Sequence, residues 1–210
     1  MAGVASYRTV IKKSGTATVM TSEGASTSST VANTYQINST AKRIWDRTAS
    51  FTFRKAGSTV ALSDISKVDY LFGKVTFATP STGAVTITGT YLPVSAIAGA
   101  HAYTLNVTRE LLDDTDFTST GWRSRQSGLL DAALTVTRYD AIELEFTNMI
   151  NTGNPVVVEV RSGGGANLSA RGFFVLEHDN RSGDVSALET ADLSFMLDGD
   201  SKAAFSFNNP

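Results

Sequence analysis

The sequence predicts a mainly β protein carrying a single α-helix, and three observations predict it. Seventeen glycines against four prolines punctuate text rich in Thr, Ser and Val, the composition of many short strands joined by glycine turns. Apolar residues recur with a period of two along most of the chain, which gives each strand a dry face and a wet one. One stretch alone, Asp140 to Gly153, changes to helical spacing and carries end signals. With 210 residues, 41% of them hydrophobic, the chain can bury a sound core. Neither linker nor internal repeat interrupts it, so one domain over residues 1–210 is expected.

Met1 to Gly15 reads as an extended N-terminal arm with a basic Lys12–Lys13 pair, since termini are loose unless tied down. Thr16 to Thr21 is a first strand. Ser22 to Thr34, SEGASTSSTVANT, is small and polar and reads as a long loop of the kind that orders on a partner. Tyr35 to Ile37 and Arg43 to Arg54 give further β signals, with Phe51 and Phe53 alternating against Thr52 and Arg54. Ile65 to Phe77 is an aromatic β run whose parity switches at Gly73, which predicts a bulge or sharp bend there. Pro80 to Gly83 turns the chain into Ala84–Tyr91, and the two runs are expected to pair as a hairpin. Leu92 to Ala102 is a short helix or a loop, and Tyr103 to Leu111 alternates again.

Leu130 to Tyr139 is a strand in which Leu130, Ala132, Leu134 and Val136 face the core. Asp140 then takes the N-cap position, with Glu143 at capping-box spacing. Ile142, Phe146, Met149 and Ile150 form the apolar stripe and Gly153 the C-terminal stop. Beyond it, Val156, Val158 and Val160 point inwards, with Glu159 and Arg161 opposite. Ser162 to Asn167 turns the chain, Gly172 to Glu177 is a central strand, Asp179 to Gly183 turns again, and Val185–Leu197 and Ala203–Phe207 close the sheet.

Catalytic and metal-binding patterns are sparse. There is no Cys, and His101 and His178 have no second His at ligand spacing. Asp113, Asp114 and Asp116 miss the calcium-loop pattern and read as an acidic turn facing Arg123 and Arg125. Gly163, Gly164 and Gly165 lack the dinucleotide or P-loop context, and Ser186 lies on no nucleophile elbow. Arg43, Arg47, Arg54 and Lys55 interleave with Trp45, Phe51 and Phe53. This matches a single-strand nucleic-acid platform in residue type, but it is also what an ordinary strand with outward Arg looks like. No cofactor and no enzymatic activity are expected.

Charge is unevenly spread. Residues 1–75 hold ten Lys/Arg and four acids, a net of +6, so the remainder carries −8 of the total of −2. A basic front and an acidic back suit copies meeting head to tail, although both sets also serve to solvate a compact domain. No apolar run is long enough to span a bilayer and none near the N-terminus resembles a signal peptide, so synthesis in a cytoplasm and no membrane association are expected.

An acidic turn (Asp113, Thr115, Phe117), the pair Gly121–Trp122 followed by Arg123 and Arg125, SGLLDAALTVTRYD at 127–140 and NTGNPVVVEV at 151–160 occur in this order around one helix. This arrangement resembles the major tail tube proteins of long-tailed (siphovirus-type) bacteriophages, over about Thr16 to Asp200. The resemblance implies a β-sandwich or half-barrel flanked by one helix that closes into hexameric rings. It implies a virion tail protein made in the host bacterium, with rings stacked as the conduit for the genome. The implied partners are other copies of itself, a tape measure protein, tail terminator and distal tail proteins, and double-stranded DNA passing without specific binding. The candidates for inter-subunit contact are Lys12, Lys13, Arg43, Arg47, Arg54, Lys55, Asp113, Asp114 and Asp116. A neutral-to-acidic wall would let DNA slide, and the pool for it is Glu159, Glu177, Asp184, Glu189, Asp192 and Asp198. The chain reaches Pro210 soon after its last strand, so the C-terminal immunoglobulin-like domain of some relatives is expected to be missing. Two other readings stay open: the tube of a contractile injection system, and a carbohydrate-binding β-sandwich or adhesin using Trp45, Trp122 or Tyr139 as an exposed platform.

Overall fold

A computed structural model describes residues 9–28, 31–115, 122–139, 144–165, 167–184, 186–199 and 205–207. Among them the fold is mainly β with one α-helix. The first strands are β1 (Val10–Ser14), β2 (Thr18–Thr27), β3 (Thr34–Ile37), β4 (Thr52–Lys55) and β5 (Ser58–Thr59). They are followed by β6 (Ile65–Asp69), β7 (Lys74–Phe77), β8 (Val85–Tyr91), β9 (Val94–Ala96), β10 (Ala100–Asp113) and β11 (Arg125–Tyr139). Helix α1 (Leu144–Thr152) precedes β12 (Val156–Ser162), β13 (Asn167–Ser182), β14 (Thr190–Leu197) and β15 (Phe205–Phe207). The chain divides into two compact units. The first comprises the described residues of Met1–Ile97, Val156–Phe173 and Asp200–Pro210, and the second those of Ala98–Pro155 and Phe174–Gly199. One boundary between the units falls inside β13, between Phe173 and Phe174.

In the first unit, a seven-stranded sheet runs β5-β4-β8-β2-β3-β7-β6. Its dry side gathers Met20, Tyr35, Ile37, Trp45, Phe53, Val75, Phe77, Val85 and Ile87. Trp45 is fully buried, stacks on Phe51 at 5.0 Å and donates its indole N–H to the Lys42 carbonyl at 3.0 Å. Its burial removes it as an exposed sugar platform. Gly89 is required beside this cluster, because a Cβ there would lie 2.3 Å from the Phe51 ring. Gly73 adopts φ +60° in the turn between β6 and β7, where the parity switch predicted a bend. The expected pairing of this run with β8 is wrong. β7 is flanked by β6 and β3, while β8 lies between β4 and β2. The seven-residue connection from Ala78 to Ala84 is longer than hairpin loops of about two to five residues, and it crosses to a different strand.

The same unit holds the N-terminal part of β13, up to Phe173, with β12, β1 and β9 side by side, and β15 is added to β13. The expected N-terminal arm is therefore a sheet strand from Val10 to Ser14, paired with β12 on one side and β9 on the other. Ile11 is buried, and the Ser14 hydroxyl accepts the Val157 N–H at 2.9 Å. Ser22–Thr27, expected as loop, belongs to β2. Ladders with β8 and β3 satisfy its backbone, and small polar side chains suit a wet strand face. A second core cluster of Ile44, Leu71, Phe72, Val157 and Phe173 covers the side of β12 that had been expected to face outwards. Val156 to Val160 are all buried as a result.

In the second unit the order is β10-β11-β14-β13, antiparallel throughout. Leu92–Ala102, expected as a short helix or a loop, holds no helix; loop and turn residues there flank β9 and lead into the start of β10. The dry face carries Ala132, Leu134, Val136, Leu193, Phe195, Phe174 and Leu176, as alternation predicts; Leu130, however, is exposed. Phe146 of α1 is fully buried, and the buried Arg138 lies over its ring at 4.6 Å. Ile150 is exposed and drops out of the expected stripe. Gly153 (φ +62°) ends the helix, its N–H donating to the Met149 carbonyl at 2.9 Å. Asp140, Ile142 and Glu143 lie outside the described residues. β13 continues to Ser182 and β14 starts at Thr190, so the turn expected at Asp179–Gly183 falls later.

Candidate assembly surface

β10 is a fourteen-residue strand at the end of its sheet, with β11 as its strand partner. Twelve residues of its ladder are paired to β11, from Ala100↔Arg138 to Asp113↔Arg125. Each residue of an edge strand turns backbone N–H and C=O groups alternately to its neighbour and to open space, which makes such an edge a template for another strand. Further along the same sheet, β14 pairs with β13 as far as Ser182. β12 has seven residues to the sixteen of β13, so it cannot flank β13 along its C-terminal half.

Register then sets the composition of the open face. Cross-strand partners share a face, so the rows read Ala102, Thr137, Asp192, Asn180; then Thr104, Thr135, Ser194, His178; then Asn106, Ala133, Met196, Val175. Thr108 and Asp131 form a further row. This face has two carboxylates, no Lys and no Arg. Of the acids proposed for a wall, Asp192 lies on it. Asp131 also lies on it and was missed, although its alternation with Ala132 was visible; only the register shows which strands share the surface.

The other wall candidates lie elsewhere. Glu159 is 0% exposed and sits between Arg161, at 2.6 Å, and Arg171, so it cannot face a lumen. Glu177 is exposed at a β-bulge between Leu176 and His178. Asp184 accepts from the Ser186 N–H at 2.8 Å and from its hydroxyl, which hold the carboxyl below its ordinary range. Glu189 is exposed in the same connection, and Asp198 follows β14 half-buried.

The basic contact candidates are mostly occupied inside their own unit. Lys13 and Arg47 are buried, and Arg47 lies over Phe173 at 4.7 Å. Lys12 is half-buried opposite Glu159. Arg43 donates Nε–H to the Ile37 carbonyl at 3.3 Å. Lys55 contacts Asp64 at 2.5 Å and lies 4.3 Å from the Phe77 ring centroid. Arg54 is exposed on β4. The aromatic and basic interleaving there is thus an ordinary strand with aromatics inside.

Beyond the last β11–β14 pair, Ala133↔Met196, β10 and β11 continue as a two-stranded arm. Such a ribbon is marginally stable alone. Leu111, Leu112, Leu129 and Leu130 are 46–79% exposed on it, and Trp122 near its tip is 81% exposed. A one-residue irregularity lies between Arg109↔Leu130 and Leu111↔Ser127. Gly128 permits it, since a Cβ there would come within 2.9 Å of the Glu110 Cβ. Asp113 and Asp114 are exposed near the tip, and Asp116 lies outside the described residues. The Thr115 hydroxyl and backbone N–H hold the Asp113 carboxyl below its ordinary range, with Arg125 adding its charge.

Among the described residues there is no group of three or more His, Asp or Glu placed to hold a metal ion. No helix there is long and apolar enough to cross a membrane. No family model matches the chain, and no curated protein matches it either.

Proposed function

We propose that this protein is the structural subunit of a phage-type tail tube, assembling through its sheet edges into hexameric rings that stack as a conduit for DNA. The observation that supports it is the long one-sided edge of β10 beside an open face with no Lys or Arg. The second unit contributes four antiparallel strands. An even number means that β10 of one copy runs antiparallel to β13 of the next around a closed ring, so the ladder continues without reversal. Six copies give roughly 24 strands; at ~4.8 Å per strand and a tilt near ~40° the barrel is about 48 Å across at the backbone. Barrels of about 16–18 strands already enclose an aqueous channel. A wall of Thr, Ser, Asn and Asp offers DNA no Lys or Arg to neutralise its phosphates and so does not hold it by counterion release. A tape measure protein inside and terminator and distal proteins at the ends are the partners this reading carries.

Concentration-series size exclusion with negative-stain microscopy tests it. Rings or tubes with sixfold top views are expected. A particle that stays monomeric at every concentration and after seeding refutes the proposal.

A further inference from the structure

The arm built by β10 and β11 has two unlike features. Trp122, 81% exposed, stands near its tip. Further down, at the β-bulge, a groove of about 520 Å³ is lined by Thr108, Arg109, Glu110, Leu129, Leu130 and Asp131. Leu129 is 79% exposed there. We infer that the groove is the seat for Trp122 of a second copy, so that each arm clasps the next.

Four points carry the assignment. An exposed indole is costly to leave in water and is the side chain most often found as a buried anchor in interfaces. The groove matches it in chemistry: two leucines offer apolar walls, the Arg109 guanidinium can lie on an aromatic face, and Glu110 and Asp131 offer carboxylates to the indole N–H. Its volume falls within the range of pockets that enclose one compact group. Finally, the groove borders the free edge of β10, the strand that the proposed assembly already joins between copies, so both contacts are made on one continuous surface.

The occupant must come from another molecule. Tip and groove are separated along the same two-stranded ribbon, from Trp122 to Leu129–Leu130, and the strand from Arg125 to Leu129 between them spans roughly 13 Å, beyond the reach of one side chain. Because tip and groove are different patches, the contact is heterologous: each copy offers a tip to one neighbour and a groove to another. Repetition of such a contact propagates instead of closing a pair. This rests on the assembly proposed above and assigns it a contact between staggered copies.

Trp45, fully buried, and Trp122 are the two tryptophans of the chain, which makes the test direct. In unassembled protein, acrylamide should quench about half of the tryptophan emission readily, the Trp122 share. On assembly of the full chain that share should shift to the blue and lose most of its quenching; in a Trp122→Phe variant the shift should be absent. Leu129→Glu, on an exposed position, should leave the monomer folded and raise the concentration needed for assembly at least tenfold. Assembly with Trp122 still fully quenchable overturns this inference and leaves the tube proposal standing. Absence of assembly in the unaltered protein overturns both.

Discussion

Replacing Glu159 with Gln removes one buried charge and changes little else. Glu159 is 0% and Arg171 6% exposed, and the Glu159 carboxylate also contacts Arg161 at 2.6 Å. Arg171 donates to the Leu71 carbonyl and lies over the Phe72 ring at 5.0 Å, so its position is held from two sides. Burial pushes the Arg171 guanidinium below its ordinary pKa, and Glu159 acts to raise it again. In Glu159→Gln the guanidinium keeps its burial and loses the larger of its counter-charges, with Asp69 left as the smaller. Removing one partner of a buried pair costs about 3–5 kcal/mol. Gln retains shape and one acceptor, so the lower end, about 3 kcal/mol, is expected. With a urea slope of about 2–3 kcal/mol/M, the midpoint should fall by about 1–1.5 M. The assay is urea unfolding followed by Trp45 emission in a Trp122→Phe background, which places the probe in the first unit, with Glu159 and Arg171. A midpoint lowered by less than about 0.3 M, at most ~0.9 kcal/mol on that slope, would refute the view that Glu159 compensates Arg171. Replacing both partners, Glu159→Leu with Arg171→Met, should recover most of the loss, because a buried pair and an apolar pair of similar volume differ little.

Further outcomes follow from particular contacts. Gly89→Ala places a methyl 2.3 Å from the Phe51 ring and should destabilise the first unit by about 1–3 kcal/mol, read by the same unfolding curve. Thr135→Arg, on the open face, should leave assembly intact but make tubes retain DNA, with retention falling steeply as salt rises; electrophoresis of purified tubes checks it. The Asp64 carboxyl is held below its ordinary pKa, first by Lys55 and then by Thr79. Its contribution to stability is therefore present above about pH 4, the unfolded value, and is lost as pH falls through the lower folded value. Lys55→Met should move the Asp64 titration upwards, as followed by carboxyl NMR.

The elements written in local periodicity were legible from residues alone. Strand β11, the helix ending at Gly153 and the bend at Gly73 needed no more than alternation, helical spacing and a permissive glycine, because each is set by neighbours within a few positions. Polar composition misled where the backbone was satisfied from afar. The Ser/Thr-rich stretch after Thr21 and the basic segment around Lys12 read as loop and arm, yet each completes a ladder with residues far along the chain. Burial of charge was equally hidden. Glu159 alternates with valines as a wet-face residue should, and only the packing of Leu71, Phe72 and Phe173 over that side shows that it pairs with Arg171 inside.

The chain by itself determined that it would be β-rich with one helix, and where its charges and turns fall. Tertiary structure alone decided which strands lie side by side, and hence that β7 and β8 part company, that β10 forms the long edge, and that Thr, Ser, Asn and Asp from four strands make one face without Lys or Arg. The physical reason is range: side-chain alternation and capping act over a few residues, whereas register joins positions such as Thr104, Thr135, Ser194 and His178 through backbone hydrogen bonds that carry no mark of their partner in the sequence.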